Sequence, residues 1–272
     1  MSHHLVERLG VDILKAMAPR PAAKKRAGQA VIIAALGPAL PAVFREFDIV
    51  AARRIEHFLA QAAHESDGFC TTEEYASGAA YEGRRDLGNV QPGDGRRFKG
   101  RGIFQLTGRD NYERYGRLLG LDLIRRPERA AEPVVSLRIA GCYWRERKIG
   151  PMADDDDLIR VTRAINGGLN GLADRRRYLS IAKREIAARS AAGVAADARH
   201  PGRPVLRRGS EGGVVEMLQA LLRKAGFALG LDGDFGAATE LAVRTFQRRA
   251  GLDDDGVVGP ESWSALLGEN RS

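Results

Sequence analysis

The chain contains 272 residues, of which 44% are hydrophobic and 29% are charged, and this composition excludes a disordered chain. The formal net charge is +8, which favours a polyanionic partner. Aromatic residues make up only 6% and are not interleaved with a basic stripe, so we expect no nucleic acid partner.

Apolar residues recur at three- and four-residue spacing through most of the first 188 residues, which predicts a mainly α-helical domain. The predicted helices cover residues 6–17, 27–36, 51–66, 111–119, 134–148, 157–165 and 173–188. The second helix should end at Gly37-Pro38, because proline cannot continue a helix without losing a hydrogen bond. Any sheet should be a short hairpin near the glycine-rich loop, residues 100–108.

The composition of residues 189–204 shifts to Ala, Gly, Arg, Pro and His without apolar periodicity, which predicts a linker. The remaining residues, 205–272, form a small second domain with predicted helices at 213–225 and 237–250 and a short one ending at 267. Two Asp-Gly-x-x-Gly turns, beginning at Asp232 and Asp255, form an internal repeat. This domain contains no histidine or cysteine, so a binding module is favoured over an enzyme.

Two cysteines, Cys70 and Cys142, are too few for a disulfide scaffold, and we expect both to be reduced. The longest apolar run, residues 30–36, is too short to span a bilayer. The first twenty residues lack a basic segment followed by an apolar one, so the sequence predicts no signal peptide and no membrane insertion.

Most of the candidate catalytic residues lie between residues 64 and 112. Glu65 follows Phe58 and Ala62 at helical spacing, so it should project from an apolar face. Loss of hydration there favours a protonated carboxyl, which is the form that a general acid needs. Its neighbour His64 is expected to contribute hydrogen bonds beside the substrate.

Hydrolysis of a glycosidic bond requires a second carboxylate. Glu73 and Glu74 lie in the loop that follows, and Glu82 and Asp86 are further candidates. The residues alone leave this choice open. A carboxylate that activates water should stand about 6.5–9.5 Å from the acid, and the anomeric configuration should then invert.

Several neutral polar residues can complete such a site. Thr107 and Asn111 offer a hydroxyl and an amide that can orient a water or grip an N-acetyl group. Asn166, in a glycine-rich turn, can bond to a saccharide amide. Gly100-Arg101-Gly102 is not a dinucleotide fingerprint, and no zinc-ligand spacing occurs, so we expect no cofactor and no metal.

Over about residues 5–188 the chain resembles glycoside hydrolase family 19, the chitinase-like enzymes, in the endolysin branch found in phages and bacteria. The motifs that carry the resemblance are Ala63-His64-Glu65-Ser66, Tyr81-Glu82-Gly83-Arg84, Lys99-Gly100-Arg101-Gly102, Gln105-Leu106-Thr107-Gly108, Asn111-Tyr112 and Ile165-Asn166-Gly167-Gly168. The resemblance implies a lysozyme-like helical fold with a deep cleft and an inverting mechanism.

The same resemblance assigns roles to individual residues. It implies Glu65 as general acid, Glu74 as general base and Thr107 as a residue that holds the water. The expected substrate-binding residues are His64, Gln105, Asn111, Tyr112, Asn166 and Arg175. Arg175 also matches a family arginine that supports the catalytic carboxylates. Asn170 stands where plant-type members carry a further glutamate, which disfavours chitinase activity.

The second domain resembles the peptidoglycan-binding type 1 module, a three-helix unit that tethers hydrolases to the cell wall. The matching motifs are Leu206-Arg207-Arg208-Gly209-Ser210, Asp232-Gly233-Asp234-Phe235-Gly236 and Asp255-Gly256-Val257-Val258-Gly259-Pro260. Many of these residues form turns or core, so they identify the module better than they identify its contact residues.

We therefore expect a monomeric endolysin whose partner is bacterial peptidoglycan and which cleaves the β-1,4 bond of the glycan strand, with N-acetylmuramidase as the first choice. A chitinase, a lytic transglycosylase and a non-catalytic wall-binding protein are the alternatives. The expected location is the host cytoplasm, with action on the periplasmic wall after holin-type release.

Overall fold

The computed structural model describes residues 5–198 and 203–268. The chain divides into two compact units, unit 1 (Met1–Ser190) and unit 2 (Ala191–Ser272). Helices dominate both units, and within the described residues β pairing is limited to isolated bridges. The predicted mainly α-helical fold is confirmed.

The helices of residues 5–198 follow the periodicity of the sequence closely. They are α1 (Val11–Met17), α2 (Ala23–Glu46), α3 (Ala52–Glu65), α4 (Asp94–Arg97), α5 (Arg109–Leu119), α6 (Pro133–Glu146), α7 (Ile149–Asp154), α8 (Leu158–Asn166) and α9 (Leu172–Ala198), with short 3-10 helices at Ala79–Tyr81, Arg85–Leu87 and Pro127–Ala131. The expected hairpin is reduced to two antiparallel bridges, in which Arg101 pairs with Glu73 and with Leu106.

Helix α2 does not end at Gly37-Pro38 but continues through Pro38 and Pro41 to Glu46. An internal proline costs about 3 kcal/mol, and burial of large apolar side chains, at about 1.5–3 kcal/mol each, offsets this cost. The buried apolar members are Ile32, Ile33, Leu36, Leu40, Val43 and Phe44. The run of residues 30–36 is too short to span a bilayer, but the whole of α2 is long and apolar enough to do so by length and composition alone. The buried apolar residues of α2 nevertheless belong to the core of unit 1.

Helix α3 runs through that core, and every residue from Ile55 to Ala63 is buried. The Phe58 ring lies 5.1 Å from the Phe44 ring, 5.1 Å from the Phe104 ring and 5.4 Å from the Trp144 ring, measured between centroids. These contacts tie α3 to α2, to the glycine-rich loop and to α6. The last residue of α3, Glu65, is therefore held at the edge of a rigid core.

Unit 2 contains α10 (Gly213–Lys224), α11 (Ala237–Arg249) and α12 (Pro260–Leu267). Its own core consists of Leu206, Val215, Leu218, Leu222, Phe235, Ala242, Val243, Val258 and Trp263. A separate core of this kind is what allows a small unit to fold around its own apolar residues.

The two Asp-Gly-x-x-Gly turns of unit 2 are each held by a buried glutamine. Gln219 Nε2 donates to Asp232 Oδ1 at 2.7 Å, and Gln219 Oε1 accepts from the backbone amides of residues 232 and 233. Gln247 Nε2 donates to Asp255 Oδ1 at 2.9 Å, and Gln247 Oε1 accepts from the amide of Gly256. The repeat in the sequence is thus a repeat of hydrogen bonds.

Helix α9 continues to Ala198, into the stretch 189–204 that the sequence predicts as a linker. This stretch is rich in alanine, the residue with the highest helix propensity, and its lack of apolar periodicity does not prevent helix formation. Residues 199–202 of the expected linker lie outside the described residues, as do residues 1–4 and 269–272 of the expected domains.

Candidate active site

Glu65 is held by a buried arginine from α9. Arg175 Nη2 donates to Glu65 Oε1 at 2.5 Å, and the Arg175 side chain is fully buried while that of Glu65 is 15% exposed. The same guanidinium donates to Gln61 Oε1 and, at 3.0 Å, to the backbone oxygen of Asn170. A planar group with three partners has a fixed orientation, so one oxygen of Glu65 is fixed too.

His64 lies on the other side of the turn that precedes α9. Its Nδ1 is 2.7 Å from Asp174 Oδ2. The ring packs on Gly171, which has a φ of +70°, and a Cβ added there would lie 2.1 Å from the ring. Burial opposes ionisation of Asp174, but its hydrogen bonds with His64 and Arg177 lower the pKa of that carboxyl overall. His64 therefore positions the turn beside Glu65.

The adjacent glutamates have different surroundings. Glu73 Oε1 accepts from Arg101 Nε at 3.0 Å and lies 3.2 Å from Lys99 Nζ. Two cations thus share the charge of Glu73, and its side chain is 43% exposed. These contacts leave Glu73 tied to the loop that carries Lys99 and Arg101.

Glu74 has no such cation among the described residues. Its Oε2 accepts from the Tyr81 hydroxyl at 2.9 Å, while its Oε1 is buried without a hydrogen-bond partner. Gly100 allows this placement, because a Cβ added there would lie 2.8 Å from Gln105 Oε1 and 3.2 Å from Glu74 Oε2. One oxygen of Glu74 is therefore held, and the hydrogen-bonding capacity of the other is unused.

The other two candidate carboxylates are engaged elsewhere. Glu82 accepts from the backbone amides of Gly93 and Gly95 at 2.6 and 2.9 Å, which fixes the loop before α4. Asp86 pairs with Arg84 at 2.6 Å, and that hydrogen bond lowers the pKa of Asp86. Both carboxyls therefore stabilise local structure.

The polar residues after the glycine-rich loop form a chain of local hydrogen bonds. Asn111 Nδ2 donates to the backbone oxygen of Thr107 at 2.8 Å, and Thr107 Oγ1 donates to that of Gln105 at 2.9 Å. Gln105 Nε2 donates to the backbone oxygen of Gly102 at 2.8 Å. A hydroxyl that donates keeps lone pairs, so Thr107 can still accept from a water.

An aromatic contact joins this loop to the region of Glu65. Phe104, which precedes Gln105, packs edge-on against Tyr143 with ring centroids 6.1 Å apart. The Tyr143 hydroxyl donates to the backbone oxygen of Ile165 at 3.2 Å. Burial raises the pKa of Tyr143, and the charge of Glu65 adds to this rise against the opposing effect of Arg147. Tyr143 thus lies between the loop, the end of α8 and Glu65.

Two of the expected substrate-binding side chains are buried. Tyr112 is fully buried; its hydroxyl donates to the backbone oxygen of Lys99 at 2.7 Å, and burial raises its pKa to about 12 despite the nearby Arg101. Arg175 is also fully buried and donates to Glu65. Both side chains support the residues that line the candidate site. Asn166, in contrast, is exposed at the end of α8.

Sequence reasoning gave no individual role to three residues that shape the acidic pair. Tyr81 bonds to Glu74, whereas Lys99 and Arg101 neutralise Glu73. The paired cations could have been suspected, because Lys99 and Arg101 occur at alternate positions of a segment predicted to be extended. Nothing in the sequence indicated the contact of Tyr81.

Comparisons with known proteins identify families that match each unit. A family model described as chitinase class I matches residues 21–159, and one described as a putative peptidoglycan binding domain matches residues 211–266. A Haemophilus influenzae protein described as a glycosyl hydrolase family 19 domain-containing protein is 33% identical over 150 residues, which cover 43% of this chain and 72% of that protein.

An Arabidopsis thaliana endochitinase is 38% identical over 120 residues, which cover 44% of this chain and only 41% of the plant protein. Among solved structures, chitinase C from Streptomyces griseus matches with a TM-score of 0.52 and 22% identity, over 68% of this chain and 93% of that chain. This likeness establishes a shared fold.

Proposed function

Because this chain belongs to glycoside hydrolase family 19, we propose that unit 1 hydrolyses the β-1,4 bonds of the peptidoglycan glycan strand, as an N-acetylmuramidase, while unit 2 holds it on the polymer. The match of residues 211–266 to a peptidoglycan-binding module supports the choice of polymer. The net charge of +8 suits an anionic envelope.

The observation that carries the proposed mechanism is the unequal environment of the acidic side chains. Glu65 has one oxygen fixed by Arg175, and no described residue bonds to its other oxygen. Glu74 has one oxygen fixed by Tyr81 and a buried, unpartnered second oxygen. Glu73 is neutralised by cations. Glu65 and Glu74 thus each have one oxygen held and one without a partner, which supports them as the two carboxyls of the proposed reaction.

In the proposed reaction, protonated Glu65 donates its proton to the glycosidic oxygen as the bond to the anomeric carbon breaks. Ionised Glu74 accepts a proton from a water, whose oxygen attacks the anomeric carbon from the opposite face. Thr107 Oγ1 accepts a hydrogen bond from that water and orients it. The products are two shorter glycan chains, one with a new reducing end of inverted configuration.

Tethering explains why a hydrolase of an insoluble polymer carries a second unit. Once unit 2 is bound, cleavage by unit 1 becomes effectively intramolecular. For a short connection the local concentration of substrate reaches about the millimolar range, and the avidity for the polymer rises about 10²-fold or more. Deleting residues 205–272 should therefore slow lysis of whole sacculi far more than cleavage of soluble glycan fragments. Equal losses on both substrates would contradict the tethering role.

The decisive experiment uses purified sacculi and the variant Glu65→Gln. The unaltered protein should release fragments with N-acetylmuramic acid at the new reducing end, and proton NMR should detect the α anomer first. Glu65→Gln should abolish release without weakening sedimentation with sacculi. N-acetylglucosamine at the reducing end would indicate a glucosaminidase, and anhydro-muramyl ends would indicate a lytic transglycosylase. Persistent release by Glu65→Gln would reject the acid assignment.

A chitinase is the second candidate, and the similarity to a plant endochitinase favours it. The same two carboxyls would act on N-acetylglucosamine polymers. Against it stand Asn170 in place of an acidic residue and the peptidoglycan-binding module of unit 2. Turnover of colloidal chitin that exceeds turnover of sacculi at equal mass would favour this candidate over the muramidase.

A further inference from the structure

Tyr75 is the one exposed aromatic residue of the described chain. Its side chain is 69% exposed, whereas the other Phe, Tyr and Trp residues of 5–198 and 203–268 are buried or half-buried. Exposed apolar area costs about 25 cal/mol per Å² relative to burial. An aromatic ring kept in water immediately after Glu74 therefore points to a ligand that covers it.

The Tyr75 ring is held by two side chains. Its hydroxyl donates to Asp67 Oδ2 at 3.0 Å. Lys25 Nζ lies 4.6 Å from the ring centroid, in a cation–π contact, and is 2.6 Å from the same Asp67 oxygen. Because Lys25 covers one face of a ring that is still 69% exposed, the open area is the opposite face.

The backbone on both sides of the ring is fixed as well. Lys99 Nζ lies 3.5 Å from the backbone oxygen of Glu74 and 3.5 Å from that of Ala76. The hydroxyl of Tyr75, one face of its ring and the carbonyls on both sides are therefore already engaged. Such a side chain loses little conformational entropy when a ligand binds. The ring is thus preorganised, unlike an ordinary surface tyrosine.

The position of this ring relates it to both carboxyls. Asp67 follows Glu65 by two residues, and Tyr75 follows Glu74 by one. The Asp67–Tyr75 hydrogen bond therefore joins the loop after the acid to the loop after the base. The ring is thus tied to both segments that carry the proposed catalytic carboxyls.

We propose that Tyr75 is a saccharide-binding platform, on which the apolar C–H face of an N-acetylated hexose stacks beside the cleavage point. A β-linked pyranose presents axial C–H groups on its faces, and these match a flat aromatic surface that has a polar edge. The proposal rests on the function proposed above. It makes Tyr75 a determinant of substrate affinity that takes no part in proton transfer.

The test measures binding in the full chain carrying Glu65→Gln, so that no hydrolysis occurs. The probes are the hexasaccharide of N-acetylglucosamine and glycan strands freed of stem peptides, and the method is isothermal titration calorimetry. Adding Tyr75→Ala should weaken binding of at least one probe about tenfold, equivalent to about 1.4 kcal/mol. Tyr75→Phe, which keeps the ring, should weaken it less than threefold. Leu118→Ala, which removes an exposed apolar side chain of α5, is the matched control and should change nothing.

Kinetics with Glu65 intact separate affinity from chemistry. Tyr75→Ala should raise KM about tenfold and leave kcat within twofold. Equal affinity of the Tyr75→Ala and control chains, or failure of the parent chain to bind either probe, overturns the platform. The proposed function fails separately, if Glu65→Gln still cleaves glycans, and in that case the KM of Tyr75→Ala relative to Leu118→Ala decides on the platform alone.

Discussion

Arg175 Nη2 and Glu65 Oε1 lie 2.5 Å apart, and the arginine is fully buried. The same guanidinium also holds Gln61 and the backbone of Asn170. The orientation of the proposed acid is therefore set from inside the core, by a residue far from it in the sequence. A fixed acid needs no reorganisation when the substrate binds, which is what a positioned proton donor requires.

Replacement of this arginine should affect activity even when the charge is kept. Lysine presents a compact point charge and cannot serve Glu65, Gln61 and Asn170 together. We predict that Arg175→Lys lowers kcat on sacculi about 10²-fold, since misplacement of a catalytic group by about 1 Å can have this effect. Arg176→Lys, at the exposed neighbouring position, is the control and should retain full kcat. A fully active Arg175→Lys enzyme would show that the contact is dispensable.

The adjacent glutamates provide a matched pair of variants. Glu74→Gln should lower kcat by about 10²–10⁴-fold, the range for loss of a general base, because its free oxygen can no longer accept a proton. Glu73→Gln should lower kcat much less, because that carboxylate already pairs with Arg101 and Lys99. Initial rates on soluble glycan strands compare the kcat values of the two variants. A larger loss for Glu73→Gln would reverse the assignment.

The sequence was sufficient for much of the fold and part of the site. The spacing of Phe58 and Ala62 before Glu65 predicted an inward-facing helix, and α3 confirms it. The choice between Glu73 and Glu74 could not be made from spacing, because it depends on Arg101, which lies 28 residues beyond Glu73. Such a contact is set by the loop geometry in three dimensions.

Two other features of the structure could not be predicted for similar reasons. The prolines of α2 ended the predicted helix because local propensity was the only information, whereas burial of residues such as Leu36 and Phe44 outweighs that propensity in the fold. The resemblance implied Tyr112 as a substrate contact. In the structure its hydroxyl donates to the backbone oxygen of Lys99 and its ring is buried, which the sequence pattern does not show.

Tyr81 should act as a positioning residue. Its hydroxyl donates to Glu74 Oε2 at 2.9 Å, which holds that carboxylate in one orientation. We predict that Tyr81→Phe lowers kcat on soluble glycan strands by up to about 10²-fold, since a misplaced catalytic group can have this effect, and leaves KM within about twofold. Initial-rate kinetics separate the two constants. An unchanged kcat, or a change in KM alone, would contradict the positioning role.

Asp94 should make unit 1 sensitive to acid. The bidentate hydrogen bonds from Arg109, at 2.6 and 2.8 Å, lower the pKa of Asp94 below its ordinary value despite its burial. Since the folded pKa lies below the unfolded one, the stabilisation is full above about pH 4 and is lost as the pH falls through the folded value.

The variant Asp94→Asn removes this pair at every pH and leaves Arg109 without its carboxylate. Its free energy of unfolding at pH 7 should be lower by about 3 kcal/mol, as for loss of one partner of a buried pair. The difference from the parent should shrink as the pH falls below about 3, which urea unfolding followed by circular dichroism can measure. A difference that stays constant with pH would show that charge is not the cause.

The repeated glutamines of unit 2 allow a prediction that is internal to the chain. Gln219 and Gln247 are almost completely buried; Gln219 accepts from two backbone amides of its Asp-Gly turn and Gln247 accepts from one. Replacing either residue by alanine leaves those amides without a partner, at about 1–3 kcal/mol for each unsatisfied group. We predict that both Gln219→Ala and Gln247→Ala destabilise unit 2, Gln219→Ala by more, and that both weaken sedimentation with sacculi. Cleavage of soluble glycan strands should be unchanged in both variants, because the site of unit 1 retains every contact; a loss there would contradict the separation of binding and catalysis between the two units.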